Sequence, residues 1–142
     1  MEKKQIEEMI DLAIRQLDYS YVPYSHFHVG AALLAKNGTY YTGCNIENAA
    51  YTPTNCAERT AFFKAVSEGV REFQAICIVG GKDGVLTEYA APCGVCRQVM
   101  MEFCDPETFQ IISRPGRRNT GNFFCYIDIH IIAIKIPQDL DW

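Results

Sequence analysis

Two short cysteine-bearing strings lie far apart in this chain, Cys56-Ala57-Glu58 and Pro92-Cys93-Gly94-Val95-Cys96, and each sits where a loop turns into a helix. At such a junction the unpaired backbone N–H groups and the positive end of the helix dipole favour negative charge, so thiolates are held there. A C-x-x-C at a helix start turns both sulfurs toward one point, a common half-site for zinc. One more thiolate from a second helix start makes three protein ligands. An open fourth position is what separates a catalytic zinc from a closed structural one. A fold that uses these strings together must bring two helix starts to the same place.

Glu58 lies two residues after Cys56, within the same first helical turn, so it can hang over a metal without binding it. A carboxylate in that position can take a proton from water at the metal and pass it to a substrate nitrogen. Three thiolates leave the site net negative and weaken its Lewis acidity. Arg59 can offset this by donating hydrogen bonds to the sulfurs.

The rest of the chain suits an ordinary globular protein. Its 142 residues are enough to bury a core, with 49% hydrophobic and 21% charged residues. The formal net charge of -4 argues against nucleic acid as a partner, because phosphate binding needs clustered positive charge. The basic cluster Arg114, Arg117 and Arg118 surrounds Pro115 and Gly116 and reads as a solvated loop. No signal-peptide pattern opens the chain, and Asn122 to Pro137 is interrupted by Asp128, His130 and Lys135, too polar for a membrane span. The expectation is a cytoplasmic protein with no membrane partner. Seven cysteines in that setting are reduced thiols, and paired ones point to metal or catalysis rather than disulfides.

Ile6, Met9, Ile10, Ala13, Ile14 and Leu17 follow a helical period, and Tyr21 to Ser25, with Pro23, breaks that helix. Val29 to Ala35 reads as a buried strand, with Asn37-Gly38 turning it into a second strand over Thr39 to Cys44. After a polar loop, the helix from Cys56 to Glu68 stops at Gly69. Phe73 to Val79 is a strand closed by Gly80-Gly81. A short helix then runs from Cys93 to about Phe103, and Phe109 to Ile112 is another strand. With no repeat or linker, this order implies one α/β domain over residues 1–142, a mixed sheet with helices packed on it.

Four longer strings carry a family resemblance: Tyr24-Ser-His-Phe-His-Val-Gly-Ala-Ala-Leu33, Asn45-Ile-Glu-Asn-Ala-Ala-Tyr51, Cys56-Ala-Glu-Arg59 and Pro92-Cys-Gly-Val-Cys-Arg-Gln98. Together they resemble the small homotetrameric cytidine deaminases, and Cys-x-Glu followed by Pro-Cys-x-x-Cys matches the signature of zinc deaminases. The resemblance implies a mixed sheet with helices on both faces. It makes Cys56, Cys93 and Cys96 the Zn2+ ligands and Glu58 the proton shuttle. Phe27 would pack against the pyrimidine, Asn45 and Glu47 would hydrogen-bond the ribose hydroxyls, and the Ala57 N–H would contact the base. Tyr51 falls in a segment that helps shape a neighbouring subunit's site in the family. The implied reaction is hydrolysis at C4 of cytosine, in cytidine and deoxycytidine, leaving uridine or deoxyuridine and ammonia, in pyrimidine salvage. A carboxylate at position 47 repels phosphate, which favours a free nucleoside.

Three other readings of the cysteines stand beside this one: a redox dithiol at Cys93 and Cys96, a closed zinc site with Cys44, Cys104 or a histidine as fourth ligand, and a deaminase for a different aminopyrimidine such as blasticidin S. Cys44, Cys77, Cys104 and Cys125 otherwise read as small buried residues or spare thiols. From Arg114 to Ile136 the chain departs from the family, which there carries a helix with Leu-Leu-Pro followed by a Phe that approaches an adjoining site. Codons permitted for His130 to Ile136, read one base onward, can spell Ile-Leu-Leu-Pro-Leu-Lys-Phe, as a compensated frameshift would leave. The other reading is a divergent tail whose strand-forming residues, Asn122 to Ile136, add an edge or internal strand.

Overall fold

A computed structural model of the chain describes residues 1–86 and 89–114, together with the backbone of Cys125–Tyr126. The first helix, α1 (Lys3–Gln16), continues into a single 3-10 turn at Leu17–Tyr19. Then come β1 (Phe27–Ala35), β2 (Tyr40–Cys44), α2 (Ala57–Ser67), β3 (Phe73–Lys82), α3 (Gly94–Phe103), β4 (Gln110–Ser113) and β5 (Cys125–Tyr126). The strands form one sheet in the order β2-β1-β3-β4-β5. β1 runs antiparallel to both β2 and β3, β3 and β4 are parallel, and β5 returns antiparallel to β4. The sheet is mixed, as the alternation of strands and helices implied.

The sheet is covered on both faces. Ile6, Met9, Ile10, Ala13 and Leu17 of the first helix and its terminal turn pack on Ala32, Leu34, Ala75, Cys77 and Val79. On the other face Ala57, Ala61, Phe62 and Ala65 of α2, with Cys96, Met100 and Met101 of α3, pack on Ala31, Leu33, Ile76 and Ile78. Strand residues alternate between the two sets, as the two-residue period of a strand requires. Phe62 sits at the centre of an aromatic group, 4.9 Å from Phe73 and 6.2 Å from Phe109 between ring centroids.

Topology brings the two cysteine strings together. Both β2–α2–β3 and β3–α3–β4 join parallel strands and step across the sheet in the same direction. Connections of one hand then lie on one face with their helix starts at the same sheet end. Glycines permit the close fit: a Cβ on Gly43 of β2 would run into the Ala57 carbonyl and stand 2.6 Å from the Ala61 nitrogen.

Two details differ from the sequence expectation. Gly80-Gly81 do not end their strand, which runs on to Lys82 opposite Phe27. They serve instead as places of close backbone approach, because a Cβ on Gly81 would collide with the Val85 carbonyl. β1 correspondingly begins at Phe27 rather than Val29, so Phe27 belongs to the sheet. Of the tail strand expected over Asn122 to Ile136, only Cys125–Tyr126 is described, and it pairs with Ser113 and Ile112 at the sheet edge. The remainder, including the shifted-frame segment His130 to Ile136, lies outside the described residues. Among the described residues, no helix is long and apolar enough to cross a membrane.

Candidate active site

Cys56 and Cys93 are the residues that cap α2 and α3, both with extended backbone. Their carbonyls accept the first intrahelical bonds, from Thr60 N–H and Arg97 N–H, each at 3.0 Å. Cys96 follows one turn into α3 and is buried. The Arg97 side chain also donates from Nε to the Pro92 carbonyl at 3.0 Å, which fixes the approach to this helix start.

The three sulfurs converge. Cys56 Sγ lies 3.8 Å from Cys93 Sγ, Cys93 Sγ lies 3.5 Å from Cys96 Sγ, and all three fall within 4.8 Å of one another. Tetrahedral zinc with Zn–S near 2.3 Å needs sulfurs about 3.8 Å apart, so the spacing fits the ion. No fourth Cys, His, Asp or Glu joins this group among the described residues. Cys44, one proposed closing ligand, instead donates its thiol to the Tyr19 carbonyl at 3.3 Å.

Neighbouring side chains and burial act on the thiols. Hydrogen bonding from Cys96, and then from the Arg59 guanidinium, pulls Cys56 down to about 5 despite its burial. Cys96 moves the other way, because it donates to Cys56 and is desolvated. Arg59 Nη2 reaches Cys56 Sγ at 3.5 Å and the Thr54 carbonyl at 3.4 Å.

Glu58 is 4% exposed, the sole carboxylate buried among the described residues. Burial pushes it up to about 7, with the neighbouring Cys56 charge adding to the rise. It lines a cavity of about 390 Å³ together with Cys56, Cys93 and the buried Ala57. As the first residue of α2, Ala57 carries an N–H with no intrahelical acceptor.

Phe27, Asn45 and Glu47 line the same cavity. Asn45 Nδ2 donates to the Phe27 carbonyl at 2.8 Å, and its Oδ1 accepts the Val29 N–H at 2.9 Å. The amide therefore clips the loop after β2 to β1, keeping one N–H and one lone pair for other partners. Glu47 Oε2 accepts the N–H groups of Tyr24 at 3.0 Å and Ser25 at 3.2 Å. These bonds, with one from the Ser25 hydroxyl, hold the carboxyl below its ordinary range. Tyr51 is 83% exposed, carries a φ of 60° and is not among the cavity residues.

Sequence reasoning missed other walls of the cavity, notably Ile78 and the pair Tyr89-Ala90. Ile78 reads as an ordinary core strand position, and no local signal marks which core residue floors a cavity. Thr54 and Asn55 also line it and could have been suspected from their place directly before Cys56.

An open three-sulfur cluster at paired helix starts, with a buried carboxyl beside it on a mixed α/β sheet, defines the class of zinc hydrolases with a three-cysteine site. Within that class the relationship is specific. Residues 3–112 match the cytidine and deoxycytidylate deaminase zinc-binding region, and the chain belongs to that family. It is 57% identical over 100 residues to a cytidine deaminase of Sporosarcina psychrophila, covering 70% of this chain and 71% of that one. A crystal structure of cytidine deaminase from Burkholderia pseudomallei superposes with a TM-score of 0.74 at 39% identity, covering 91% of this chain and 94% of that one. A blasticidin-S deaminase of Bacillus cereus is 32% identical over 114 residues, 78% of this chain and 80% of that one.

Proposed function

We propose that this chain hydrolyses the exocyclic amine of cytidine and deoxycytidine, giving uridine or deoxyuridine and ammonia, in pyrimidine salvage. The observation that carries the reading is the buried Glu58 carboxyl, which lines one cavity with Cys56 and Cys93, together with the convergence of those two sulfurs with Cys96. Cys56, Cys93 and Cys96 would hold zinc, which supplies the Lewis acidity that brings a water's pKa toward neutrality.

The chain's own groups do the rest. Glu58 takes up the proton lost by the attacking water and delivers it to N3 of the ring, which makes C4 more electrophilic. It then takes the proton of the hydroxyl newly bonded to C4 and carries it to the amine, so that the C4 carbonyl forms as nitrogen leaves as ammonia and not as an amide anion. Burial keeps that carboxyl out of bulk water, so the proton travels between substrate atoms rather than to solvent. The Ala57 N–H binds the base, and Phe27 forms the apolar wall for the pyrimidine face. Glu47 and the free N–H of Asn45 take ribose hydroxyls, and the Glu47 charge repels a phosphate. Arg59 neutralises part of the thiolate charge.

The blasticidin-S deaminase relative supports a second reading, a different aminopyrimidine substrate. The sugar-directed Asn45 and Glu47 favour the nucleoside. Residues 1–142 are read as one domain, with 114–136 atypical for the family, working in the cytoplasm as a homotetramer. Sedimentation of the purified protein tests the last point. The deciding experiment follows the ultraviolet loss of cytidine, deoxycytidine, cytidine monophosphate and blasticidin S, with zinc content measured in the same preparation. Turnover of both nucleosides without turnover of the monophosphate is expected. A zinc-replete protein inert toward cytidine would sink the proposal.

A further inference from the structure

Thr60, the fourth residue of α2, is half-buried and is not among the cavity residues, yet its hydroxyl joins the two sides of the cavity. Its Oγ1 accepts from Asn55 Nδ2 at 3.1 Å and lies 3.0 Å from the Cys44 carbonyl and 3.2 Å from the Cys56 carbonyl. The Cys56 carbonyl already takes the Thr60 N–H at 3.0 Å, as a helix start requires. The nearer acceptor stands differently. Asn45 N–H donates to the Val29 carbonyl at 3.1 Å, so by the alternation of an antiparallel ladder the adjacent Cys44–Gly30 pair exchanges no bonds. β2 is the edge of the sheet, and the Cys44 carbonyl points out from that edge. The Thr60 hydroxyl supplies the donor that the ladder does not.

That carbonyl belongs to the same peptide unit as the Asn45 N–H. The plane that leads into Asn45 is thus held on one side by Val29 and on the other by Thr60. One residue on, Ile46 exchanges both backbone bonds with Asn55, each at 2.9 Å, and Asn55 directly precedes Cys56. The segment carrying Asn45 and Glu47 is therefore joined to the segment carrying Cys56 and Glu58 at two points. A single bridge would leave the segments free to turn about it. The Thr60 hydroxyl, bonded to groups of both, removes that freedom.

We propose that Thr60 is a positioning residue: its hydroxyl holds the strand end that presents Asn45 against the helix start that presents Cys56 and Glu58, so that one nucleoside meets both at once. The inference rests on the nucleoside reading above. A substrate held through its base and its sugar gains from the second contact only when the two are rightly spaced. A base whose sugar lacks hydroxyls does not sense that spacing.

The test compares cytidine with 2′,3′-dideoxycytidine, which keeps the base and lacks those sugar hydroxyls. Wild-type protein is expected to prefer cytidine in kcat/KM. Thr60→Val keeps the branched shape without the hydroxyl and should cut that preference about tenfold, the scale of a carbonyl stripped of its donor. The loss should fall on cytidine, with zinc content unaltered, and Thr60→Ser should behave as wild type. Thr60→Ala is measured alongside, since it removes the hydroxyl without setting a methyl against the two carbonyls. Lys64, one turn further along α2, donates to the Thr42 carbonyl on the same strand edge and is not among the cavity residues. Lys64→Met should leave the preference unchanged, which separates the Thr60 bridge from a general loosening of α2 on β2. An unchanged preference without the hydroxyl, or equal loss on both substrates, overturns the inference while leaving the deaminase reading intact. So does a Lys64→Met effect as large as that of Thr60→Val, or a wild type that treats the two nucleosides alike. Loss of folding or of zinc in both hydroxyl-free variants, with Thr60→Ser intact, makes the hydroxyl a structural requirement and overturns it as well. Wild-type protein with zinc and no cytidine turnover overturns the reading beneath it, and the inference with it.

Discussion

Glu58 owes its position to the first turn of α2, and among the described residues no salt bridge ties its buried carboxyl to a cation. Glu58→Gln keeps shape and one acceptor oxygen but cannot carry a proton. The variant should retain zinc and lose about 10²- to 10⁴-fold in kcat, the usual weight of a placed acid–base group. Atomic absorption and an ultraviolet cytidine assay on one sample check both halves. Glu47 gives a pH prediction with a definite sign. Its carboxyl is held below the ordinary value of 4.5, first by the Ser25 hydroxyl and then by the turn's N–H groups. A depressed folded value means its contribution to stability is present above 4.5 and fades as pH falls through the folded value. The melting-temperature gap between wild type and Glu47→Gln should therefore narrow on acidification below 4.5. A gap that widens there would contradict the bonding seen around Glu47.

At the scale of elements, the site depends on how closely α2 lies on β2. Gly43 has no side chain to hold the helix off, and an added methyl meets the Ala57 carbonyl, beside Cys56 and Glu58. Gly43→Ala should cost about 1–3 kcal/mol of stability, as overpacking does. Zinc affinity should fall too, because the start of α2 must shift. Gly38→Ala is a suitable contrast, since a Cβ there meets nothing within 4 Å and only the positive φ of 88° is strained. Denaturant melts and zinc titrations of the two variants separate a turn penalty from a displaced helix. The strand and helix types were legible from hydrophobic period and from Gly and Asn at turns. The end of β3 was not, because Gly80-Gly81 looks the same whether it stops a strand or lets Val85 pass close by.

For the molecule as a whole, zinc would bind a preformed cluster carried by two helices on one face of the sheet. Removing it with a chelator should lower the melting temperature by several degrees, and zinc at about 100 times its Kd should return about 2.7 kcal/mol. Calorimetry of the stripped and refilled protein measures this. A chelator-insensitive transition would show that the three sulfurs are not a metal site.

Residue chemistry and local structure were fixed by sequence: which cysteines stand at helix starts, that Glu58 shares a turn with Cys56, and that strands alternate with helices. Those signals work over a few residues, so a linear string carries them. The meeting of Cys56 with Cys93 and Cys96 was a demand of the sequence. It was met only through two same-handed crossovers that place both helix starts at one sheet end. The lining of the cavity by Ile78 and Tyr89 and the clip made by Asn45 belong to tertiary structure alone. Each depends on distances between segments far apart in the chain, which no local pattern encodes.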